Sequence, residues 1–260
     1  MSSTIIEAAN CGDLRLLSKT LSDGTSSLSQ QELDEALTRA SVNGNTACAE
    51  LLLKSKADVN AIDSDGDTAL ILASINHHVK TVELLLYYNC DINLTSDTDR
   101  TALHNAAWVG DAAVTKILVQ FGADTSLKDQ YGDTALMIAA LHGQRDVFKI
   151  LLTAGSDVNA ENFDSDTALH YSAKEGRTEI SHILIEAGAG INKKNNYGYT
   201  PLVYAAMFGH LSTLSSLIDD GAVLSMTCRS GRDALYHGAS RDKVKIVSAL
   251  LRAGANAKHY

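Results

Sequence analysis

The sequence predicts an all-α solenoid built from stacked helix-turn-helix units. Three observations lead to this fold class. A TAL or TPL tripeptide recurs with a 33-residue period, two short apolar helical patterns follow each copy, and glycines recur between and after those patterns. A unit of this size cannot bury its apolar face alone, so each copy must pack against its neighbours.

The clearest single unit is residues 129–161. Thr134 is a typical N-cap residue, and residues 135–141 are predicted to form a short Ala-rich helix. Gly143 ends that helix, and an apolar stripe in the following residues predicts a second one. Gly155 then stands where a helix ends in the left-handed conformation that glycine adopts freely. The unit therefore reads as helix, tight turn, helix and loop.

The copies of this unit follow from the positions of the capping threonines. Glu35 takes the threonine position in an early copy and Asp233 takes it in the last. The remaining anchors, each one repeat period after the previous one, are Thr68, Thr101, Thr134, Thr167 and Thr200. We therefore expect one repeat domain over residues 1–260 in about eight units. These are a degenerate N-terminal capping repeat (1–29), six internal repeats (30–62, 63–95, 96–128, 129–161, 162–194 and 195–227) and a C-terminal capping repeat (228–260).

Three segments show the repeat motif most clearly. They are TALHNAAWVGD (101–111), TALHYSAKEGR (167–177) and TPLVYAAMFGH (200–210). The 33-residue period with this motif, followed by a tail such as AGSDVNA, resembles the ankyrin repeat. The resemblance implies stacked helix pairs joined by β-turn or hairpin loops, with a concave groove along one side.

Several residues depart from the repeat pattern. Proline usually opens the first helix in the family, but here only Pro201 does, and alanine stands in the other units, for example Ala69, Ala102, Ala135 and Ala168. Other residues stand where most units have glycine and are predicted to adopt the left-handed conformation: Lys56, His77, Asn89 and Asp242.

Composition limits the classes of function. The net charge of −9 argues against general nucleic-acid binding. No apolar run is long enough for a membrane span, and the N-terminal residues do not resemble a signal peptide. The four cysteines occupy unrelated repeat positions, which argues against a disulfide framework. We therefore expect a monomeric protein of the cytoplasm, with the nucleus as the alternative compartment.

The sequence contains none of the common catalytic motifs. The nine histidines show no spacing with cysteines or carboxylates that is typical of a metal site. The resemblance instead implies that His104 and His170, in the TALH motif, connect neighbouring loops through hydrogen bonds. No catalytic residue, cofactor or metal is therefore predicted.

The resemblance implies that a partner protein or peptide binds the concave face. In the family this face consists of the loop tips and the exposed side of each first helix. Here those positions lie three and one before each threonine and four, seven and eight after it, and they hold seven of the chain's 14 aromatic residues. Some of these rings could instead pack between helices. Exposed aromatics are typical of interfaces, so the predicted binding residues are Trp108, Tyr131, Leu141, Tyr171, Tyr197, Tyr199, Tyr204, Met207 and Phe208, with Asp65, Asp67, Asp133 and Asp166 in the loops.

Two further interpretations concern charge and modification. Loops of the early repeats carry aspartates, while the last two repeats offer lysines and arginines, so a partner could place its basic residues towards the early repeats. A second class of function is that of a substrate for asparagine hydroxylation. A leucine stands eight residues before each candidate asparagine, as in the family's hydroxylated repeats: Asn60, Asn93, Asn159 and Asn192. A targeting subunit of a ubiquitin ligase and a pathogen effector are further alternatives.

Overall fold

The computed structural model describes residues 4–24 and 28–257, which form sixteen α-helices. Within these ranges the only strand-like pairing is one antiparallel bridge between Ile62 and Thr68. The predicted all-α fold class is therefore confirmed. The chain divides into two compact units, residues 1–130 and 131–260.

Unit 1 (residues 1–130) contains four helix pairs. The first helices of the pairs pack on one another, as do the second helices, so that each pair contributes to two layers. Leu37, Ile71 and Leu103 are buried in the first-helix layer, and Leu52 and Leu85 in the second-helix layer. The pairs are α1 (Thr4–Cys11) with α2 (Leu14–Gly24), α3 (Gln30–Val42) with α4 (Thr46–Lys54), α5 (Ala69–Ile75) with α6 (Val79–Tyr87) and α7 (Ala102–Val109) with α8 (Ala112–Gln120).

Unit 2 (residues 131–260) repeats the same arrangement. Its first helices pack in the order α9, α11, α13 and α15, and α12, α14 and α16 form part of the second layer. Leu136, Phe148 and Leu214 are fully buried between them. The pairs are α9 (Ala135–His142) with α10 (Arg145–Thr153), α11 (Ala168–Lys174) with α12 (Thr178–Glu186), α13 (Pro201–Phe208) with α14 (Leu211–Asp219) and α15 (Ala234–Ala239) with α16 (Val244–Arg252).

Five of the predicted N-caps make the expected hydrogen bond in the structure. The side-chain oxygens of Thr68, Thr101, Thr134 and Thr200 each accept a hydrogen bond from the backbone N–H three residues later. Asp233 caps α15 in the same way, accepting from the N–H of Tyr236 at 2.9 Å. Each cap satisfies a backbone donor that has no partner within its helix, and this defines where each first helix begins.

The second repeat begins differently from the prediction. Glu35 was expected at the capping position, but it lies inside α3, which starts five residues earlier at Gln30. Ser29 caps this helix, and the Glu32 side chain accepts a hydrogen bond from the Ser29 N–H at 3.0 Å. This capping box extends the helix into the loop because it satisfies two backbone donors at the new start.

The residues predicted to adopt the left-handed conformation all do so. The φ angles are 74° at Lys56, 61° at His77, 57° at Asn89 and 54° at Asp242. Two loop residues that the sequence analysis did not single out share this conformation, Asp99 (57°) and Ser165 (59°). They occupy the same position in the repeat as Gly66, Gly132 and Gly198, so the turn geometry is kept where glycine is lost.

We expect Ala102→Pro to raise the free energy of unfolding by about 0.4–1 kcal/mol, because proline at the first helical position restricts the unfolded chain. Thr101 before it is already extended (φ −83°, ψ 171°), as proline requires. Ala69→Pro is the matched control. The Ala69 N–H donates to the Ala61 carbonyl at 3.2 Å, a bond that proline would remove.

Chemical denaturation of both variants checks this prediction. From the sequence, Ala69 and the other alanines at this position were all expected to tolerate proline. The hydrogen bond of the Ala69 N–H makes Ala69 an exception. A loss of stability in Ala102→Pro, or an equal gain in Ala69→Pro, would contradict the prediction.

Candidate protein-binding surface

The loop tips of unit 2 are arranged in a row by backbone hydrogen bonds. Three such bonds join consecutive hairpins: Phe163 N–H to Tyr131 O (3.2 Å), Asn196 N–H to Asp164 O (2.8 Å) and Arg229 N–H to Tyr197 O (3.1 Å). Gly198 permits this close approach, since a Cβ there would lie 2.8 Å from the Arg229 nitrogen. The hairpins therefore present their side chains from a fixed backbone.

Two buried histidines, His104 and His170, each connect the capping threonine of their own helix to the following loop. His170 Nδ1 accepts from the Thr167 N–H (3.1 Å), so Nε2 carries the proton and donates to the Tyr199 carbonyl (3.1 Å). In unit 1, His104 Nδ1 likewise accepts from the Thr101 N–H (3.2 Å), while its Nε2 lies 3.0 Å from the Leu127 carbonyl, at a different position of the following loop. Burial lowers the pKa of His170 to about 4. The imidazoles thus connect neighbouring loops, in the role that the TALH motif implied.

A buried hydrogen-bond network, which we call the Asp-Asn-Tyr triad, occurs twice in unit 2. In the second copy Asp166 accepts from Asn195 Nδ2 (2.7 Å) and from the Tyr204 hydroxyl (3.3 Å). Burial, followed by the charge of Asp166, raises the pKa of Tyr204, so its hydroxyl stays a donor. The first copy, one repeat earlier, consists of Asp133, Asn162 and Tyr171.

Four predicted surface residues are buried, and the expectation that they are exposed is wrong for them. Tyr204 is 8% exposed and Met207 6%, and Asp133 and Asp166 are 6% exposed each. For Tyr204, Asp133 and Asp166 the physical reason is the triad, because a buried carboxylate is satisfied there by hydrogen bonds from a tyrosine and an asparagine. These residues support the surface from below.

The exposed rings of unit 2 lie at the loop tips and at the end of α13. Tyr131 is 57% exposed, Tyr197 53% and Phe208 44%, as predicted for surface positions. Half-buried Tyr199 stacks on Tyr197, with a centroid distance of 6.0 Å, and contacts Tyr204 at 5.6 Å. Tyr204 in turn lies 6.2 Å from Phe208. The rings of the 195–227 repeat therefore form one continuous aromatic cluster.

Sequence reasoning missed two aromatic residues of this surface. Phe163 is 66% exposed at the loop tip next to Tyr131, and half-buried Tyr236 lies beneath the Arg232 guanidinium at 4.5 Å. Both stand one residue away from the positions taken from the family pattern. The signal that could have found Phe163 is its place in the hairpin, directly before Asp164.

The remaining predicted residues are distributed over both units. Leu141 and Tyr171 are half-buried in unit 2. In unit 1, Trp108 is 43% exposed with the Arg100 guanidinium 5.9 Å from its ring centre, and Asp65 is exposed. Burial, followed by the charges of neighbouring aspartates, raises the pKa of half-buried Asp67. Unit 1 therefore presents a largely acidic set of loops with one exposed indole.

Comparison with protein families decides the identity of the fold. A family description of ankyrin repeats matches residues 5–96, 89–162 and 169–259, which together make up most of the chain. The chain belongs to the ankyrin-repeat family. No curated protein matches it significantly.

Four asparagines of the ankyrin repeats were candidates for hydroxylation. Asn60 Oδ1 accepts from the Asp91 N–H at 2.8 Å, and Asn159 Oδ1 accepts from the Gly190 N–H at 2.9 Å. Asn93 and Asn192 accept in the same way from the residue 31 positions later. Each side chain thus connects consecutive repeats through its amide oxygen.

The structure also bears on metal binding, disulfides and membrane spans. Residues 4–24 and 28–257 contain no group of three or more histidine, cysteine or acidic side chains placed to hold a metal ion. All four cysteines are free thiols. In the same part of the chain, none of the helices has the length and apolar character needed to span a membrane.

Proposed function

We propose that this ankyrin-repeat protein is a non-catalytic scaffold or adaptor that binds a partner protein or peptide. The proposal includes eight repeats, one for each helix pair and each with the family's 33-residue length, and a monomer in the cytoplasm or nucleus. The family as a whole supports protein–protein interaction. The contact region that we propose is the exposed aromatic surface of unit 2, defined as Tyr131, Phe163, Tyr197, Tyr199, Phe208 and Tyr236.

The observation that carries this proposal is a continuous cluster of aromatic rings in which exposed rings rest on buried ones. Tyr197 and Phe208 expose about half of their side chains, while Tyr204, buried by its triad, contacts Phe208 and Tyr199 from below. Large rings that are already held in place lose little conformational entropy on binding, which is why such residues are frequent hot spots.

The polar groups beneath this surface have structural partners. Both nitrogens of His170 are hydrogen-bonded, and Asp166 accepts from two side chains. A catalytic acid or base needs to reach a substrate atom. These partnered groups therefore support a binding function over a catalytic one.

We expect Phe208→Ala and Tyr197→Ala each to weaken partner binding by about 2 kcal/mol, or roughly thirty-fold, because they remove contact area at a hot spot. The partner is first recovered by affinity pull-down with mass spectrometry, and its affinity for each purified variant is then measured by calorimetry. The melting temperature should change little, since both side chains lie largely outside the core.

Phe121→Ala is the matched control for Phe208→Ala. Phe121 follows the second helix of its pair, α8, in unit 1 and is 55% exposed, so its removal deletes the same kind of ring from a residue outside the proposed set. The control should bind like the parent. Parental affinity in Phe208→Ala and Tyr197→Ala, with binding lost in Trp108→Ala, would place the site in unit 1 instead.

Asparagine hydroxylation is the second candidate. The protein would then be the substrate of a hydroxylating enzyme, and the modification would regulate its binding as a scaffold. It is favoured by the four asparagines in equivalent loop positions, Asn60, Asn93, Asn159 and Asn192. An intact mass increased by one oxygen atom per site after isolation from cells would support it. A ubiquitin-ligase targeting subunit and a pathogen effector would both use the same binding surface. The identity of the recovered partner distinguishes these two alternatives.

A further inference from the structure

The last repeat has a charge opposite to that of the rest of the chain. Residues 228–260 contain seven lysines and arginines and two acidic residues, a formal net charge of +5. Residues 1–227 contain 15 basic and 29 acidic residues, a net charge of −14. A positively charged repeat in an otherwise acidic chain creates a local electrostatic field that attracts anionic partners.

Three arginines bring this positive charge to the proposed binding surface. The Arg229 N–H itself donates to the Tyr197 carbonyl, the Arg232 guanidinium lies over the Tyr236 ring, and Arg241 follows α15. All three are exposed, and within the described residues none has a carboxylate within 4.0 Å. Their guanidinium groups are therefore available to an external anion.

The arginines are continuous with the aromatic cluster. The Tyr236 ring lies 5.7 Å from His237, which packs edge-on against Tyr199 at 5.3 Å. Burial lowers the pKa of His237, and the charges of Arg241 and Arg232 lower it further. A ligand that contacts the tyrosines would thus also meet the guanidinium groups.

We propose that the surface formed by Arg229, Arg232, Arg241, Tyr197, Phe208 and Tyr236 binds an acidic segment of a partner polypeptide. This inference rests on the proposed function and specifies the chemistry of the partner. Guanidinium groups pair with carboxylates through two parallel hydrogen bonds, and the rings accept apolar side chains between them. Neighbouring helices lie about 8–10 Å apart, so two repeats offer roughly 20 Å, the length of about six extended residues.

The surroundings favour a short peptide over a nucleic acid. Asp164 is exposed on the preceding loop tip, 3.4 Å from the Tyr197 hydroxyl, and Glu175 is exposed at the end of α11. A polynucleotide that extended past the arginines would bring its phosphates against these carboxylates. A short acidic segment can end before them.

A random-peptide library displayed on phage tests the proposal with the full chain as bait. We expect the selected peptides to be enriched in aspartate and glutamate. Replacing those residues by asparagine and glutamine in a selected peptide should weaken its binding about tenfold, measured by fluorescence anisotropy. The same loss is expected when the salt concentration is raised from about 0.05 to 0.5 M, because exposed charges are screened.

Charge reversal on the protein provides the complementary test. The triple variant Arg229→Glu, Arg232→Glu and Arg241→Glu should lose the acidic peptide. The control variant Lys80→Glu, Lys116→Glu and Lys149→Glu reverses three exposed lysines on second helices, with the same change in net charge, and should retain it. Circular dichroism establishes that both variants fold. The substitutions in the peptide test the same contact with the parent protein, so their result does not depend on the folding of a variant.

Three results would overturn the inference. They are selection of neutral or basic peptides, no selection at all, or tighter binding of a single-stranded oligothymidylate than of the acidic peptide. If neutral peptides are selected and their binding is lost in Phe208→Ala, the proposed function stands and only the acidic partner is rejected. If the partner from the pull-down also ignores Phe208→Ala and Tyr197→Ala, the proposed function fails as well.

Discussion

Tyr204→Ala is expected to lower the free energy of unfolding by about 3–5 kcal/mol, the usual cost of removing a buried aromatic side chain. The ring is 8% exposed and contacts Tyr199, Phe208 and His170. Its hydroxyl also bonds Asp166 and Asn195, so the truncation leaves two buried polar groups without this partner. Urea denaturation measures the loss.

Two further variants separate the contributions of the ring and the hydroxyl. Tyr204→Phe keeps the ring and should cost about 1–2 kcal/mol, the typical penalty for a lost buried hydrogen bond. Phe208→Ala, one helical turn further along α13, should cost much less because that ring is 44% exposed. Equal stability of Tyr204→Ala and Phe208→Ala would mean that Tyr204 is a surface residue and that the triad does not hold it.

Acidification should destabilise the protein through His170. Its pKa is about 4 in the folded state, lowered by burial from about 6.5 in the unfolded chain. Between these two values the unfolded chain binds more protons at this site, so the stability falls as the pH is lowered from about 6.5 to 4. The contribution of this one imidazole is about 3 kcal/mol, since one unit of pKa corresponds to about 1.4 kcal/mol.

The pH dependence of a glutamine variant isolates this contribution. His170→Gln should unfold at lower denaturant concentration at neutral pH, yet its stability should fall less steeply between pH 6.5 and 4 than that of the parent. His182→Gln is the control, because the side chain of His182 is 53% exposed on α12, the second helix of its pair. Equal slopes in the parent and in His170→Gln would show that the imidazole is not held neutral by burial.

The local elements of the fold could be predicted because they depend on short-range chemistry. Four of the five capping threonines satisfy a backbone donor three residues away, and each left-handed residue ends a turn, so both features recur with the 33-residue period. The same reasoning failed at Glu35, where Ser29 and Glu32 formed a better cap upstream. The repeat period alone does not show which of two possible N-cap residues begins a helix.

The candidate site was predicted only in part. Tyr204, Met207 and Phe208 occupy equivalent family positions on one side of α13, yet Tyr204 and Met207 are buried and Phe208 is exposed. Helical spacing places residues on a common side but does not say what covers them. In this case Tyr204 is covered by Asp166 and His170 of the preceding repeat and by Asn195 of its own loop.

The sequence by itself therefore determined the repeat period, the helix pairs, most of the caps and the left-handed turns, because each depends on residues close together in the chain. The tertiary structure alone decided which rings reach solvent. That outcome depends on contacts between residues 29 or more positions apart, such as Asn195 with Asp166 and Tyr204 with His170. Burial is a property of packed neighbours, so positions that are equivalent in the repeat can differ in exposure.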